Sequence, residues 1–217
     1  MPIRVYDYRR DIQNLEVTPE IRSRFMRLGP HESADRHSHD LGHEVFLVLE
    51  GKAEFEINGE TAVLGPGQFC FSKANDHHCV RNLWDEPMTM YLSVTPHIEP
   101  THTHWNEQGE KLPPRYGGWR AWSAGPGDTS AGSAVAELAE QQSAALRQLQ
   151  ESVQQAIAVQ EQTLASVGDG AAGPARAVEV KAAVDQLWAG LYPVFRDVGR
   201  LASVWNELAV RATGRQQ

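Results

Sequence analysis

Cysteine is nearly absent. Cys70 and Cys79 are the only two in 217 residues, too few for a disulfide framework and in keeping with a reducing cytosol. An excess of basic charge is absent as well. Twenty Lys and Arg against 28 Asp and Glu leave a formal net charge of −8, which argues against nucleic acid or an anionic membrane as the main partner. No DNA-binding helix-turn-helix pattern is visible. No apolar stretch has the length of a transmembrane helix, and the N-terminus carries no apolar signal-peptide core. The reading is a soluble, cytoplasmic protein whose partner is a small molecule, with no nucleic acid and no membrane. The chain is long enough to bury a real core, as one large domain or a domain with an extension.

What is present falls into three stretches. Residues 1–96 read as short strands. Ile21 to Leu28 is β-compatible, and Glu44 to Leu49 is a nearly continuous apolar run, as in a strand covered on both faces. Ala53, Phe55 and Ile57 alternate with Lys52, Glu54 and Glu56; Asn58-Gly59 supplies a type I′ hairpin turn, and Thr61 to Leu64 returns. Phe69 to Phe71, His78 to Arg81 and Met88 to Val94 add further strands. Short strands with turn signals between them predict a small antiparallel barrel or sandwich. Residues 97–130 form an irregular strap rich in Pro, Gly and Trp. Its Trp105, Trp119 and Trp122 need burial, which sets it apart from a flexible linker. Residues 131–217 read as a helical hairpin. Val135, Leu138, Ala145, Leu149, Val153, Ala156 and Leu164 mark one helix. Val180, Val184, Leu187, Leu191, Val194, Val198, Leu201, Trp205 and Leu208 mark the second. The glycine-rich stretch before Pro174 separates them, and Pro193 should kink the second helix. The stripe needs a partner surface, either the barrel or the same hairpin of another subunit, so a homo-oligomer, a dimer, is expected.

The chemistry concentrates in His37-Ser-His39-Asp-Leu-Gly-His43-Glu44. Two histidines at i and i+2 on a strand point to one face, and a carboxylate five residues on can enter the same space. His78 is a fourth candidate. Imidazoles with one carboxylate suit a first-row transition metal with open positions.

His37-x-His39-x4-Glu44-x6-Gly51 resembles the first motif of the cupin superfamily at every ligand position. Pro66-Gly67 and His78-x3-Asn82 resemble the second, with a longer strand and turn between Gly67 and His78 than that pattern has. The resemblance covers about residues 20 to 96 and implies a single-domain, metal-binding jelly-roll barrel, so the fold expected is an all-β cupin core, a strap and a C-terminal α-helical hairpin. In that arrangement His37 and His39 project inward from one strand, Glu44 from the next, and His78 from a strand across the barrel. The implied cofactor is one divalent metal ion, Fe(II) favoured, with Mn, Ni and Zn as alternatives. The implied function is a dioxygenase-type oxidoreductase acting on a small organic molecule. A redox-neutral isomerase or lyase, or a non-catalytic binding or regulatory cupin, remains open beside it.

Alternation from Glu44 places Phe46 and Val48 inward as an apolar floor, and His43, His77 and Cys79 elsewhere. Cys70 reads as a structural thiol. Asp40 is a turn residue or orients a ligand histidine. Arg24, Arg27 and Arg81 are candidates to hold a substrate carboxylate. His97, His102 and His104 read as strap residues at the barrel mouth. His102 and His104, with Glu44 released from the ion, are the expected acids or bases, and Trp105 the expected pocket wall.

Overall fold

The computed structural model describes residues 3–117, 135–166 and 174–213. Trp119, Trp122 and the glycine-rich break between the helices lie outside these. Eight strands precede two helices: β1 (Asn14–Val17), β2 (Arg22–Leu28), β3 (His43–Glu50), β4 (Ala53–Ile57), β5 (Glu60–Leu64), β6 (Phe69–Ser72), β7 (His78–Arg81), β8 (Met88–Thr95), α1 (Val135–Ser166) and α2 (Pro174–Thr213). By contacts the chain divides into two units, Met1–Gly132 with Ala209–Gln217, and Ser133–Leu208.

In the first unit the strands form two antiparallel sheets, ordered β1-β2-β8-β3-β6 and β5-β4-β7. β1 is the strand that sequence periodicity does not announce. The apolar residues of both sheets meet in one core: Met26, Leu28, Phe46, Val48, Ala53, Phe55, Leu64, Val80, Met88, Met90 and Leu92. Each large side chain buried there contributes roughly 1.5 to 3 kcal/mol. In β3, Glu44, Phe46 and Val48 are buried while Val45, Leu47 and Leu49 are only half-buried. The expected strand covered on both faces is therefore covered fully on one.

The register of the larger sheet grades the interior along the strands. Met26, Met90 and Val48 stand in one cross-strand row. Arg24, Leu92, Phe46 and Cys70 form the next, and Arg22, Val94, Glu44 and Ser72 the one after. Directly paired residues point to the same face. The barrel thus passes from an apolar floor to a polar end within three rows.

Three local features close the ends. Gly51 has φ +69°, and a Cβ there would stand 2.4 Å from the Pro87 carbonyl oxygen, so the first motif ends on the one residue the turn admits. Asn58 and Gly59 both have positive φ, the I′ turn that joins β4 to β5. At the apolar end Asn82 Nδ2 donates to the carbonyls of Gly29 and Glu86, both at 2.8 Å, and its Oδ1 accepts from Trp84 N. The closing Asn of the second motif ties loops together and is not a ligand.

The second unit is a pair of antiparallel helices. Ser152 Oγ donates to Asp197 Oδ2 at 2.6 Å, and Gly190 leaves room for Val159, which an added Cβ would meet at 3.1 Å. On α1, burial falls on Leu138, Gln142, Ala145, Leu149, Ser152, Ala156, Val159 and Thr163, in alternating steps of four and three. That is a coiled-coil seam. Its polar members hide it from a search for Leu and Val alone. On α2, Gly190 and Asp197 face it, and Ala183, Leu187, Val194, Leu201 and Val204, at the same alternating spacing, are half-buried. α2 runs through Pro193 as one helix.

The single stripe expected on each helix is therefore two. Leu146, Val153 and Ile157 of α1 and Val184, Trp188, Leu191, Phe195 and Val198 of α2 are exposed. Each follows a seam position by one residue. In an antiparallel pair such positions lie on the same side of both helices. Trp188 anchors this side, with ring centroids 6.0 Å from Tyr192 and 6.1 Å from Phe195. No helix among the described residues is long and apolar enough to cross a membrane.

Candidate metal centre

His37, His39, Glu44 and His78 present ligand atoms that all lie within 4.8 Å of one another. Glu44 arrives on β3. The segment 33–38 pairs with β7 through the bridges Ser33 to Arg81 and His37 to His78. His78 thus stands beside His37 in the smaller sheet, not across the barrel from it. Glu44, on the larger sheet, is the ligand from the opposite side. The expected placement of His78 is corrected by this pairing, which local alternation does not reveal.

Each histidine is fixed through its outer nitrogen. His37 Nδ1–H donates to the Asp35 carbonyl at 2.7 Å, His39 Nδ1–H to the Thr101 carbonyl, and His78 Nδ1–H to the Asp76 carbonyl at 2.9 Å, with Ser72 Oγ also 2.9 Å away. A carbonyl only accepts, so the proton sits on Nδ1 and the Nε2 lone pairs turn inward. There they crowd together. His78 Nε2 lies 3.1 Å from His37 Nε2, and Glu44 Oε2 lies 2.9 Å from both His39 Nε2 and His78 Nε2. Three lone pairs and a carboxylate in contact repel one another unless a positive charge sits among them. A proton serves one pair at a time; a divalent cation serves all four, so the donor set fits one.

The electrostatics carry the same demand. Burial pushes the Glu44 carboxyl up, but His39 and His78 outweigh it and hold the group well below its usual range. Burial likewise depresses His78, yet the Glu44 carboxylate raises it overall. His37, without so close a partner, is driven by burial down to about 3.

Around the cluster the structure places the other sequence-predicted residues unevenly. Phe46 and Val48 are buried, and the Phe46 ring lies 5.7 Å from His78. His102 stands against the ligands, its ring 4.6 Å from His37 and 5.1 Å from His39. Burial, then the charges of His37 and Arg22, keep it neutral well below the usual histidine range. His104 is farther out, 6.1 Å from His37 and from His102. Trp105 is not in the pocket. Its Nε1–H donates to Ser38 Oγ and its ring lies 4.6 Å from His77. Ser38 and His77 alternate with the ligands and face away from them, and Trp105 packs on that far side. Asp40 accepts from Thr103 Oγ1 and pairs with Lys111, so it orients no ligand. Arg27 donates to Thr89, and Arg81 pairs with Glu54 and Glu56; neither enters the interior. Cys70 and Cys79 are free thiols, and burial raises Cys70 to about 11.

Arg24 does face inward. Burial and the neighbouring Arg22 charge lower it to about 10. Arg22 escaped the sequence reading although alternation from Arg24 puts it on the same face. It is 2 % exposed, and its Nη2 lies 3.5 Å from His102 Nε2. Ser72 and the Thr101 carbonyl, which hold ligand histidines, carry no sequence signal. A cleft of about 260 Å³ adjoins the centre, bordered by His39, Gly42, Val94, Glu99 and Thr101.

Comparisons with known proteins agree with the motif. Residues 24–95 match the cupin domain family model. An oxalate-binding protein of Thermotoga maritima is 30% identical over 57 residues, 26% of this chain and 47% of that protein; the matched region spans about half of that relative's length. Among solved structures, a Thermus thermophilus protein aligns over 43% of this chain and 98% of its own, at 22% identity and TM-score 0.42. A Klebsiella pneumoniae protein with a double-stranded β-helix domain aligns over 44% and 91%, at 20% identity and TM-score 0.42. The strand-rich part of this chain, residues 24–95, is thus similar to the cupin domain family.

Proposed function

We propose that this chain is a metal-dependent enzyme acting on a small organic molecule, a mononuclear dioxygenase-type oxidoreductase with Fe(II) at His37, His39, Glu44 and His78. Mn, Ni or Zn suit the same donors. The observation that carries the reading is the convergence of three Nε2 lone pairs and one carboxylate, each histidine pinned by its Nδ1–H. Bound there, such an ion supplies a Lewis acid and a template for substrate and O₂. Dioxygenation places both oxygen atoms in the product and needs no outside reductant. Phe46 and Val48 present an apolar wall to the substrate. His102, neutral and in contact with the ligand imidazoles, accepts a substrate proton. Glu44 is already engaged with His39 and His78, whereas His102 stands beside the ligand set without belonging to it, so proton transfer falls to His102, with His104 at the rim.

A second reading has its own support. The similarity to a protein named for binding oxalate favours capture of a small molecule without turnover. Metal analysis of protein purified without oxygen, followed by O₂-uptake measurement across small organic substrates, separates the two. Iron with substrate-dependent uptake supports the oxygenase. Zinc without uptake, accompanied by proton exchange or bond cleavage in the substrate, transfers the site to an isomerase or lyase. Ligand binding with no reaction transfers it to a binding protein. We propose further that the protein works in the cytosol, where two free thiols persist, and as a homodimer joined through the exposed side of the hairpin.

A further inference from the structure

We infer that Arg22 is the receptor for a carboxylate of the substrate, so that the ligand of this centre is a small organic acid. The inference rests on the reading of the neighbouring cluster as a metal centre, and it adds the substrate's charge and the residue that reads it.

Arg22, Val94 and Glu44 stand side by side on β2, β8 and β3, so the arginine and the ligand carboxylate rise from the same inner face. Two strand spacings of roughly 4.8 Å separate them, a gap that an arginine side chain crosses in large part. The guanidinium ends at His102, which itself touches His37 and His39. Its position is thus one imidazole away from the ligand set.

Its hydrogen bonding is incomplete. Nε and Nη1 are buried without a partner, and the contact of Nη2 with His102, at 3.5 Å, is at the outer limit of a hydrogen bond. The two carboxylates whose charge reaches it are engaged elsewhere. Glu44 holds His39 and His78, and Glu99 Oε2 accepts from Gly117 N at 3.0 Å. A buried cation whose donors are unmet is costly for folding alone, and it is what recognition of an anion requires. Each of the two forks of a guanidinium combines Nη2 with one of the other nitrogens. A carboxylate that replaces the long contact to His102 therefore gains a bidentate pair. Its second functional group then reaches the ligand cluster. Val94, which stands between Arg22 and Glu44 in the sheet, also lines a cleft with His39 and Glu99.

The test uses the full chain loaded with Zn(II), which is redox-inert, and titrates it with glycolate and with its neutral isostere glycolamide at fixed ionic strength. Glycolate should bind more tightly. Arg22→Gln should weaken glycolate by roughly 10- to 100-fold, the range for a charge-assisted bond, with glycolamide and zinc content unchanged. Arg22→Lys keeps the charge and loses the fork; it should fall between the two, and it carries the test if the Gln variant does not fold. Unchanged glycolate affinity in the variants, or no preference for glycolate in the wild type, overturns the inference. A chain that takes up no zinc refutes the metal reading and leaves Arg22 to be judged on the metal-free protein. There glycolate should still raise Tm in the wild type and not in Arg22→Gln, and equal shifts overturn the inference.

Discussion

At the residue scale the centre depends as much on what holds the ligands as on the ligands. His39→Ala should abolish most metal uptake and leave the barrel folded, because the apolar core rather than the ion supplies its stability; metal analysis beside a circular dichroism melt checks both halves. Ser72→Ala removes the hydroxyl beside His78 Nδ1 and should lower metal affinity by roughly 10- to 100-fold. Equal affinity in a competition titration would show that the Asp76 carbonyl alone positions that ring. His97 offers a pH signature. It is buried, shares a 2.7 Å hydrogen bond with Thr101 Oγ1, and is driven by burial and then by the Arg22 charge down to about 3 from 6.5. The unfolded chain takes up that proton first, so below pH 6.5 protonation favours unfolding. Stability is fully present above 6.5 and falls as the pH drops toward 3, by at most about 1.4 kcal/mol per pH unit for one group. Denaturant titrations of the wild type and His97→Phe at pH 7 and 5 should show a shallower decline in the variant. Parallel slopes would assign the acid sensitivity to other groups.

At the element scale, strands and helices differ in how openly the sequence declares them. β3, β4 and β5 were legible because period-two alternation and Asn58-Gly59 are local signals. The seam of α1 was legible in part: Leu138, Ala145, Leu149 and Ala156 mark it, but Gln142, Ser152 and Thr163 fill its other covered positions and Val153 sits outside it. Apolar residues here mark two stripes, one spent on the partner helix and one left exposed. Pairing of two hairpins through the second would build a four-helix bundle. Trp188→Ser with Phe195→Ser should convert a dimer to a monomer in light scattering, since each large apolar side chain contributes roughly 1.5 to 3 kcal/mol and symmetry counts every substitution twice. A double variant that keeps the parent mass would locate the dimer contact elsewhere, or deny it.

At the scale of the whole molecule, an acidic chain buries two arginines, Arg22 and Arg24, together with the carboxylates Glu44 and Glu99. The net charge of −8 describes the surface, while Arg22 and Arg24 lie inside the barrel beside the donor cluster. Reading partners from net charge alone misses this, since bulk charge bears on encounter and buried charge on recognition. A chain ended at residue 128 should retain one metal ion per chain, melt at a lower temperature and lose its dimeric mass. Loss of the metal would tie the helices to the centre, and an unchanged mass would free them from assembly.

The grouping of His37, His39 and Glu44, the inward Phe46 and Val48, and the hairpin turn at Asn58-Gly59 were readable from residue order, because each rests on spacing within a few residues; His78 joined them through the resemblance to the second cupin motif. Three things were decided only by folding. The pairing of segment 33–38 with β7 set His78 beside His37. The bridge of Ser38 to Thr103 carried Trp105 to the far side with Ser38 and His77 while admitting His102. The alignment of β2, β8 and β3 brought Arg22 onto the face of Glu44. Alternation states which side of a strand a residue takes, but not which strand lies next to it. The chemistry of a buried group is set by that neighbour.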